Sequence, residues 1–178
     1  MPYLVAAVAL VGLLCLLDLL LTVGVIRRLR AQSALLTSYK SGMGEVMMAK
    51  GSVVGDFLTT TVDSKIVSRA EIDDSLVGFF STSCDGCVDA LKTFVPMAKL
   101  VPGGRDKVLA VVVGDRSNAG KFTDALTPVA QVVLEGEHGP ITRAFEVNGY
   151  PAVAMVGTGG VLTAAGATIQ LDPATAAA

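Results

Sequence analysis

The chain of 178 residues contains no tryptophan, a single histidine and only three cysteines. A structural zinc site needs four ligands, usually two cysteine pairs or one pair with histidines. Cys15 lies inside a long apolar run and His138 lies beside glycines, so neither is expected to complete a site with Cys84 and Cys87. We therefore expect no bound metal.

The sequence also lacks an extended basic region. Its net charge is −2, and no basic stripe with interleaved aromatic residues is present. Domains that bind nucleic acids carry a clustered positive surface. We therefore expect no nucleic-acid partner.

One apolar run accounts for much of the high hydrophobic content of the chain. It extends from Leu4 to Ile26 and contains a single charged residue, Asp18. As a helix these residues would span roughly 35 Å, which is enough to cross a hydrocarbon core about 30 Å thick. A cleaved signal peptide carries its basic residues before the apolar run, whereas here Arg27, Arg28 and Arg30 follow it. Residues 1–30 are therefore predicted to form a single-pass transmembrane anchor with a basic flank.

The rest of the chain is predicted to hold one domain. Residues 31–50 are expected to form a helical extension and linker, residues 51–170 the domain, and residues 171–178 a disordered tail. Within the domain, strand-like apolar runs alternate with helical patterns. The expected strands are 59–62, 65–67, 75–80, 107–114, 130–134, 152–156 and 161–163, and the expected helices follow Cys84 and cover 117–126 and 140–147. The alternation predicts an α/β fold with a central mixed sheet and an antiparallel final edge.

The helix after Cys84 is predicted from the spacing of its apolar residues. Val88, Leu91, Phe94 and Val95 fall on one face of such a helix, and Pro96 is expected to bend or end it. Cys84 would then lie where a buried strand passes into a helix.

The pair Cys84 and Cys87 has three possible roles. A metal clip lacks further ligands, and a structural disulfide across two residues would constrain the unfolded chain very little. A redox role fits the position better, because the free N–H groups at a helix start favour a thiolate, which is the attacking species. Cys87, one turn further on, can then displace a partner from Cys84.

The combination of motifs resembles the thioredoxin superfamily. A strand, the Cys84–Cys87 motif at a helix start and the later sequence Gly149–Val153 follow the order seen in that family. The opening GDFLTTTVDS is similar to that of membrane-anchored TlpA-, ResA- and MauD-like proteins. The resemblance implies a thioredoxin-like fold, a cis peptide bond before Pro151 facing the cysteines, and pairing of the Tyr150 backbone with a client peptide.

The sequence departs from the family pattern at four positions. Ser83 precedes Cys84 where tryptophan is common, and Gly78 stands where many members carry a buried acid that accepts a proton from the second cysteine. Asp85 and Gly86 separate the cysteines. A carboxylate beside Cys84 disfavours its thiolate, which makes the pair more reducing.

The expected function is therefore a membrane-anchored thiol-disulfide oxidoreductase, acting as a reductase. Cys84 and Cys87 would be catalytic, Tyr150 and Pro151 would bind the client, and no separate cofactor would be needed. The expected partners are a protein disulfide or dithiol and a redox donor or acceptor protein.

Two alternatives remain open. A client-holding or copper-delivery factor could use the thiols, which select Cu(I), although copper-carrying relatives space their cysteines by three residues. A peroxiredoxin-like peroxidase would need a proline where Val77 stands, with Ser81 replacing the usual threonine.

Two arguments disagree about the side of the membrane on which the domain lies. The arginines after the apolar run favour a cytoplasmic domain under the positive-inside rule. The anchored relatives are extracytoplasmic, and those of the MauD type can also carry basic residues after their span. We expect the redox domain to be extracytoplasmic.

Overall fold

The computed structural model describes residues 46–169 and, nearer the N-terminus, Tyr3, Gly12 and Cys15. The chain divides into two units, Met1–Gly44 and Glu45–Ala178, and the fold below is that of the second. The predicted tail and nearly all of the predicted anchor and extension lie outside the described residues. In the part of the chain that is described, no helix is long and apolar enough to cross a bilayer.

The domain is built on a five-stranded mixed sheet. Its strand order is β5-β4-β3-β6-β7. The strand β3 pairs parallel with β4 and antiparallel with β6, while β4–β5 is parallel and β6–β7 antiparallel. These strands are β3 (Ser75–Ser81), β4 (Val108–Val113), β5 (Gln131–Glu135), β6 (Ala152–Val156) and β7 (Leu162–Gly166). The predicted mixed sheet with an antiparallel final edge is confirmed.

Two short strands form a separate antiparallel hairpin before the main sheet. They are β1 (Leu58–Thr60) and β2 (Ile66–Ser68), with Thr59 opposite Val67. Val67 is buried on one face of the hairpin, whereas Leu58 and Ile66 are exposed on the other.

Hydrophobic side chains cover both faces of the sheet, which explains why the central strands are continuously apolar. Every residue of β3 and β4 is buried. On one face the core contains Val77, Phe79 and Val111 with Ile141 and Phe145. The other face is covered by a second core, formed by Leu76, Phe80, Ala110, Val112, Leu91, Phe94, Phe122 and Leu126.

Three α-helices accompany the sheet in the described region. They are α1 (Asp85–Ala98), α2 (Gly120–Leu126) and α3 (Pro140–Ala144). The buried face of α1 consists of Cys87, Leu91, Phe94 and Ala98.

One detail of the sequence prediction for α1 was wrong. Val88 is exposed rather than buried, because Cys87 takes the first position of the buried stripe. Pro96 does not end α1, which continues to Ala98. The last helix is also shorter than predicted, since α3 ends at Ala144.

Candidate functional site

Cys84 lies at the junction between β3 and α1. Its backbone is extended, with φ −105° and ψ 111°, and it immediately precedes the first residue of α1. The Cys84 N–H donates to the Ser81 carbonyl at 3.3 Å, and the Cys84 carbonyl accepts from the Cys87 N–H at 3.1 Å. The thiol is partly exposed and lies beside the free N–H groups of the helix start. This placement suits a nucleophile that must meet a partner from solution.

Cys87 lies one turn further along α1 and is fully buried. The Ser81 N–H donates to its Sγ at 3.4 Å. Burial, together with a hydrogen bond with Cys84, raises the pKa of the Cys87 thiol to about 12, although the Ser81 N–H acts in the opposite direction. Cys87 is therefore a protonated thiol at neutral pH, held close to the partly exposed Cys84.

The turn that carries Cys84 is fixed by two serine hydroxyls. The Ser81 and Ser83 hydroxyls lie 2.9 Å apart, and the Ser83 N–H donates to the Ser81 hydroxyl at 3.3 Å. Their mutual contact depends on the tight turn after β3 and was not predicted.

The other two predicted site residues lie across from the cysteines. The Cys84 thiol donates to the Tyr150 carbonyl at 3.5 Å, and the Tyr150–Pro151 peptide bond is cis. Burial raises the pKa of the Tyr150 phenol. The structure thus brings Cys84, Cys87 and the Tyr150–Pro151 segment together.

The loop before Pro151 is also held by the segment that enters the domain. The Val46 carbonyl accepts from the N–H groups of Asn148 at 2.7 Å and Gly149 at 3.1 Å. A side chain at Gly149 would meet Val46 at 3.3 Å, and the neighbouring Met47 is buried in the core. Residues 46–47 are therefore part of the packed domain.

Solved structures share this arrangement of strands and helices. The thioredoxin domain of a thiol-disulfide oxidoreductase from Bacteroides vulgatus matches with a TM-score of 0.52 and 16% identity, covering 66% of this chain and 88% of that one. A thio-disulfide isomerase from Thermus thermophilus matches with a TM-score of 0.52 and 16% identity, over 66% and 85% of the two chains. The fold is thioredoxin-like.

A third structural match has the same fold. It is the exposed lipoprotein thioredoxin of Streptococcus pneumoniae, with a TM-score of 0.50 and 20% identity over 66% of this chain and 92% of that one. No protein-family model matches the sequence, and no curated protein matches it. At these identities the likeness establishes the thioredoxin-like fold.

Within the thioredoxin-like fold, the position of Gly78 has a clear steric cause. A Cβ there would lie 2.5 Å from the ring of Phe94 and 3.0 Å from that of Phe80. The two aromatic rings meet edge to face, 5.1 Å apart. Aromatic packing therefore occupies the space that a side chain at residue 78 would need.

Two other residues considered from the sequence are exposed. Asp85 lies in the first turn of α1, and His138 lies in the connection between β5 and α3. Over residues 46–169 and the three described N-terminal positions, no cluster of three histidine, cysteine or acidic side chains could hold a metal ion.

Proposed function

We propose that the protein is a membrane-anchored thiol-disulfide oxidoreductase that reduces a disulfide bond in a protein client. The observation that carries this proposal is the contrast between the two cysteines. Cys84 is partly exposed at the start of α1 and contacts the Tyr150 carbonyl, whereas Cys87 is buried beside it. This contrast supports a role for Cys84 in the attack and for Cys87 in the resolution.

The reaction proceeds through a mixed disulfide. The Cys84 thiolate attacks one sulfur of the client disulfide, and the other client sulfur leaves as a thiolate that takes up a proton. Cys87 then loses its proton and attacks the Cys84 sulfur, which releases the second client thiol. The client gains two electrons, and the Cys84–Cys87 pair becomes a disulfide that a dithiol donor protein reduces again.

The proposed direction of electron flow rests on Asp85. Its carboxylate is adjacent to Cys84 in sequence and lies at the helix start, where negative charge disfavours a thiolate. A pair whose thiolate is less stabilised gives up its electrons more readily. The TlpA-, ResA- or MauD-like character, the anchor over residues 4–26 and an extracytoplasmic domain belong to this proposal as well.

A trapping experiment tests the proposal. In a Cys15→Ser background, the full-length Cys87→Ser variant should accumulate mixed disulfides with client proteins, because the attack by Cys84 still occurs and resolution does not. The matched Cys84→Ser variant should trap nothing. Equal trapping by both variants would contradict the proposed roles.

The same variants distinguish copper delivery. A copper carrier would bind Cu(I) in stoichiometric amount as the dithiol, lose it in either variant, and trap no client. The side of the membrane is tested separately by a reporter enzyme fused after Ala178 that is active on one side only. Activity restricted to the cytoplasm would refute the extracytoplasmic placement.

A further inference from the structure

Gly86 lies between the two cysteines, in the first turn of α1, and is exposed. Its φ is outside the left-handed region, so other residues can adopt the same backbone conformation. Glycine has a lower helix propensity than any residue except proline. Neither the backbone geometry nor the stability of α1 therefore requires a glycine at this position.

The space that a side chain at Gly86 would take borders the attacking sulfur. Apart from its chain neighbours and the backbone of α1, a Cβ there would have one described heavy atom within 4 Å, the Cys84 Sγ at 3.9 Å. That distance is an ordinary van der Waals contact, so a side chain would fit without a clash. The absence of a side chain at Gly86 therefore leaves the sulfur uncovered on this side.

Disulfide exchange needs open space beside the Cys84 Sγ. The thiolate attacks one client sulfur while the bond to the other breaks, so both client sulfurs and the chain that carries them must come close to Cys84. The Tyr150 carbonyl already lies 3.5 Å from this sulfur, and Cys87 is buried in the core. The exposed side at Gly86 therefore offers room for a bulky client.

We propose that Gly86 is a specificity-determining residue, whose missing side chain lets Cys84 reach disulfides that are enclosed by the surface of a protein client. This inference rests on the proposed disulfide exchange and narrows its substrate class to sterically enclosed protein disulfides. Substitution of Gly86 by alanine or valine keeps the backbone N–H groups and the charges around Cys84, so the thiolate fraction should not change. The effect should therefore grow with the size of the reagent that approaches the sulfur.

The first experiment measures access to Cys84 in the full-length protein with a Cys15→Ser background. Iodoacetamide is a small alkylating reagent and fluorescein maleimide is a bulky one, and peptide mass spectrometry assigns the alkylated cysteine. In Gly86→Val the two γ carbons extend the cover over the sulfur. We expect the maleimide rate at Cys84 to fall about tenfold, because fewer orientations of a bulky reagent reach the sulfur, and the iodoacetamide rate to stay within about twofold of wild type.

Gly120→Val is the matched control. Gly120 is also an exposed glycine in the first turn of a helix, α2, and a Cβ there would have no described atom within 4 Å outside its own helix and chain neighbours. Gly120→Val should leave both alkylation rates unchanged.

The second experiment measures disulfide exchange in a single turnover. The dithiol protein, in excess, reduces an interchain disulfide of insulin or the small 2-hydroxyethyl disulfide, and each turnover forms the Cys84–Cys87 disulfide and two client thiols. Gly86→Val should lower the rate with insulin about tenfold and change the rate with the small disulfide by less than about threefold.

A milder variant covers the case in which Gly86→Val fails to fold. Alanine has the highest helix propensity, so Gly86→Ala should not lower the urea midpoint. It should still slow the maleimide and insulin reactions about two- to threefold, because its Cβ contacts the sulfur.

The outcomes separate this inference from the proposed function. Equal losses with small and bulky reagents, or an unchanged maleimide rate in folded Gly86→Val, would overturn the role of Gly86 in access. Failure of the wild-type protein to reduce either disulfide would overturn the proposed function. Alkylation does not depend on disulfide exchange, so the maleimide and iodoacetamide rates test access at Gly86 by themselves.

Discussion

Resolution by Cys87 should be slow at neutral pH and should accelerate up to strongly alkaline pH. The pKa of this thiol is raised from 9.0 to about 12, mainly by burial. Three pH units correspond to about 1,000-fold less thiolate. A more basic thiolate is a better nucleophile, with a Brønsted coefficient of about 0.4–0.5, which recovers roughly 16- to 32-fold. The net expectation is resolution up to about 30- to 60-fold slower than by an exposed cysteine in the same geometry, since the hydrogen bond with Cys84 that adds to this pKa is lost in the mixed disulfide.

Dithiobis(nitrobenzoate) reports the two steps separately. Cys84 releases the first nitrothiobenzoate anion, and Cys87 releases the second when it displaces the reagent from Cys84. In a Cys15→Ser background, the logarithm of the second rate should rise with unit slope from pH 6 to pH 10. The Cys87→Ser variant provides the control, because it should show the first phase alone. A plateau in the second rate below about pH 9.5 would refute the argument from burial.

Three further predictions follow from the same region. The dithiol form should lose stability as the pH rises from 9 towards 12, because the pKa of Cys87 in the folded protein lies above 9.0 and the thiol of the unfolded chain ionises first. Urea titrations at pH 8 and pH 10 should show this loss for the dithiol form and not for the disulfide form. Gly78→Ala should lower the free energy of unfolding by about 1–3 kcal/mol through overpacking, and the loss should be smaller when Phe94→Leu is also present. If the two substitutions change the urea midpoint additively, the contact with the Phe94 ring is excluded as the cause. Asp85→Asn should raise the alkylation rate of Cys84 at pH 7 by about two- to threefold, since neighbouring exposed charges interact weakly; an unchanged or lower rate would show that this carboxylate does not act on the thiol.

The regular elements of the domain could be predicted because their signals are local. Continuous apolar runs indicated β3 and β4, which are buried on both faces, and the alternation of strand-like and helical patterns indicated a mixed sheet with an antiparallel final edge. The prediction for Val88 was wrong because an apolar residue in the first turn was assigned to the core. The buried stripe instead begins with Cys87, a sulfur residue that packs like a small apolar one.

The site could be predicted only where its residues are close in sequence or follow the order of motifs known from the thioredoxin superfamily. The spacing of Cys84 and Cys87 by itself indicated a redox pair. The sequence Gly149–Val153 then indicated that Pro151 faces the two cysteines. The contact between the Ser81 and Ser83 hydroxyls depends on the tight turn after β3. Local patterns in the sequence do not specify such a turn, so this contact could not be predicted.

The packing of residues 46–47 affects where this domain can be shortened. A chain beginning at Gly51, the boundary that composition suggested, would remove Met47 from beneath the aromatic core. It would also remove the hydrogen bonds that the N–H groups of Asn148 and Gly149 donate to the Val46 carbonyl. Residues 46–47 therefore stabilise the loop that faces the cysteines. A fragment that omits them would have a rearranged loop beside Cys84 and a less stable hydrophobic core.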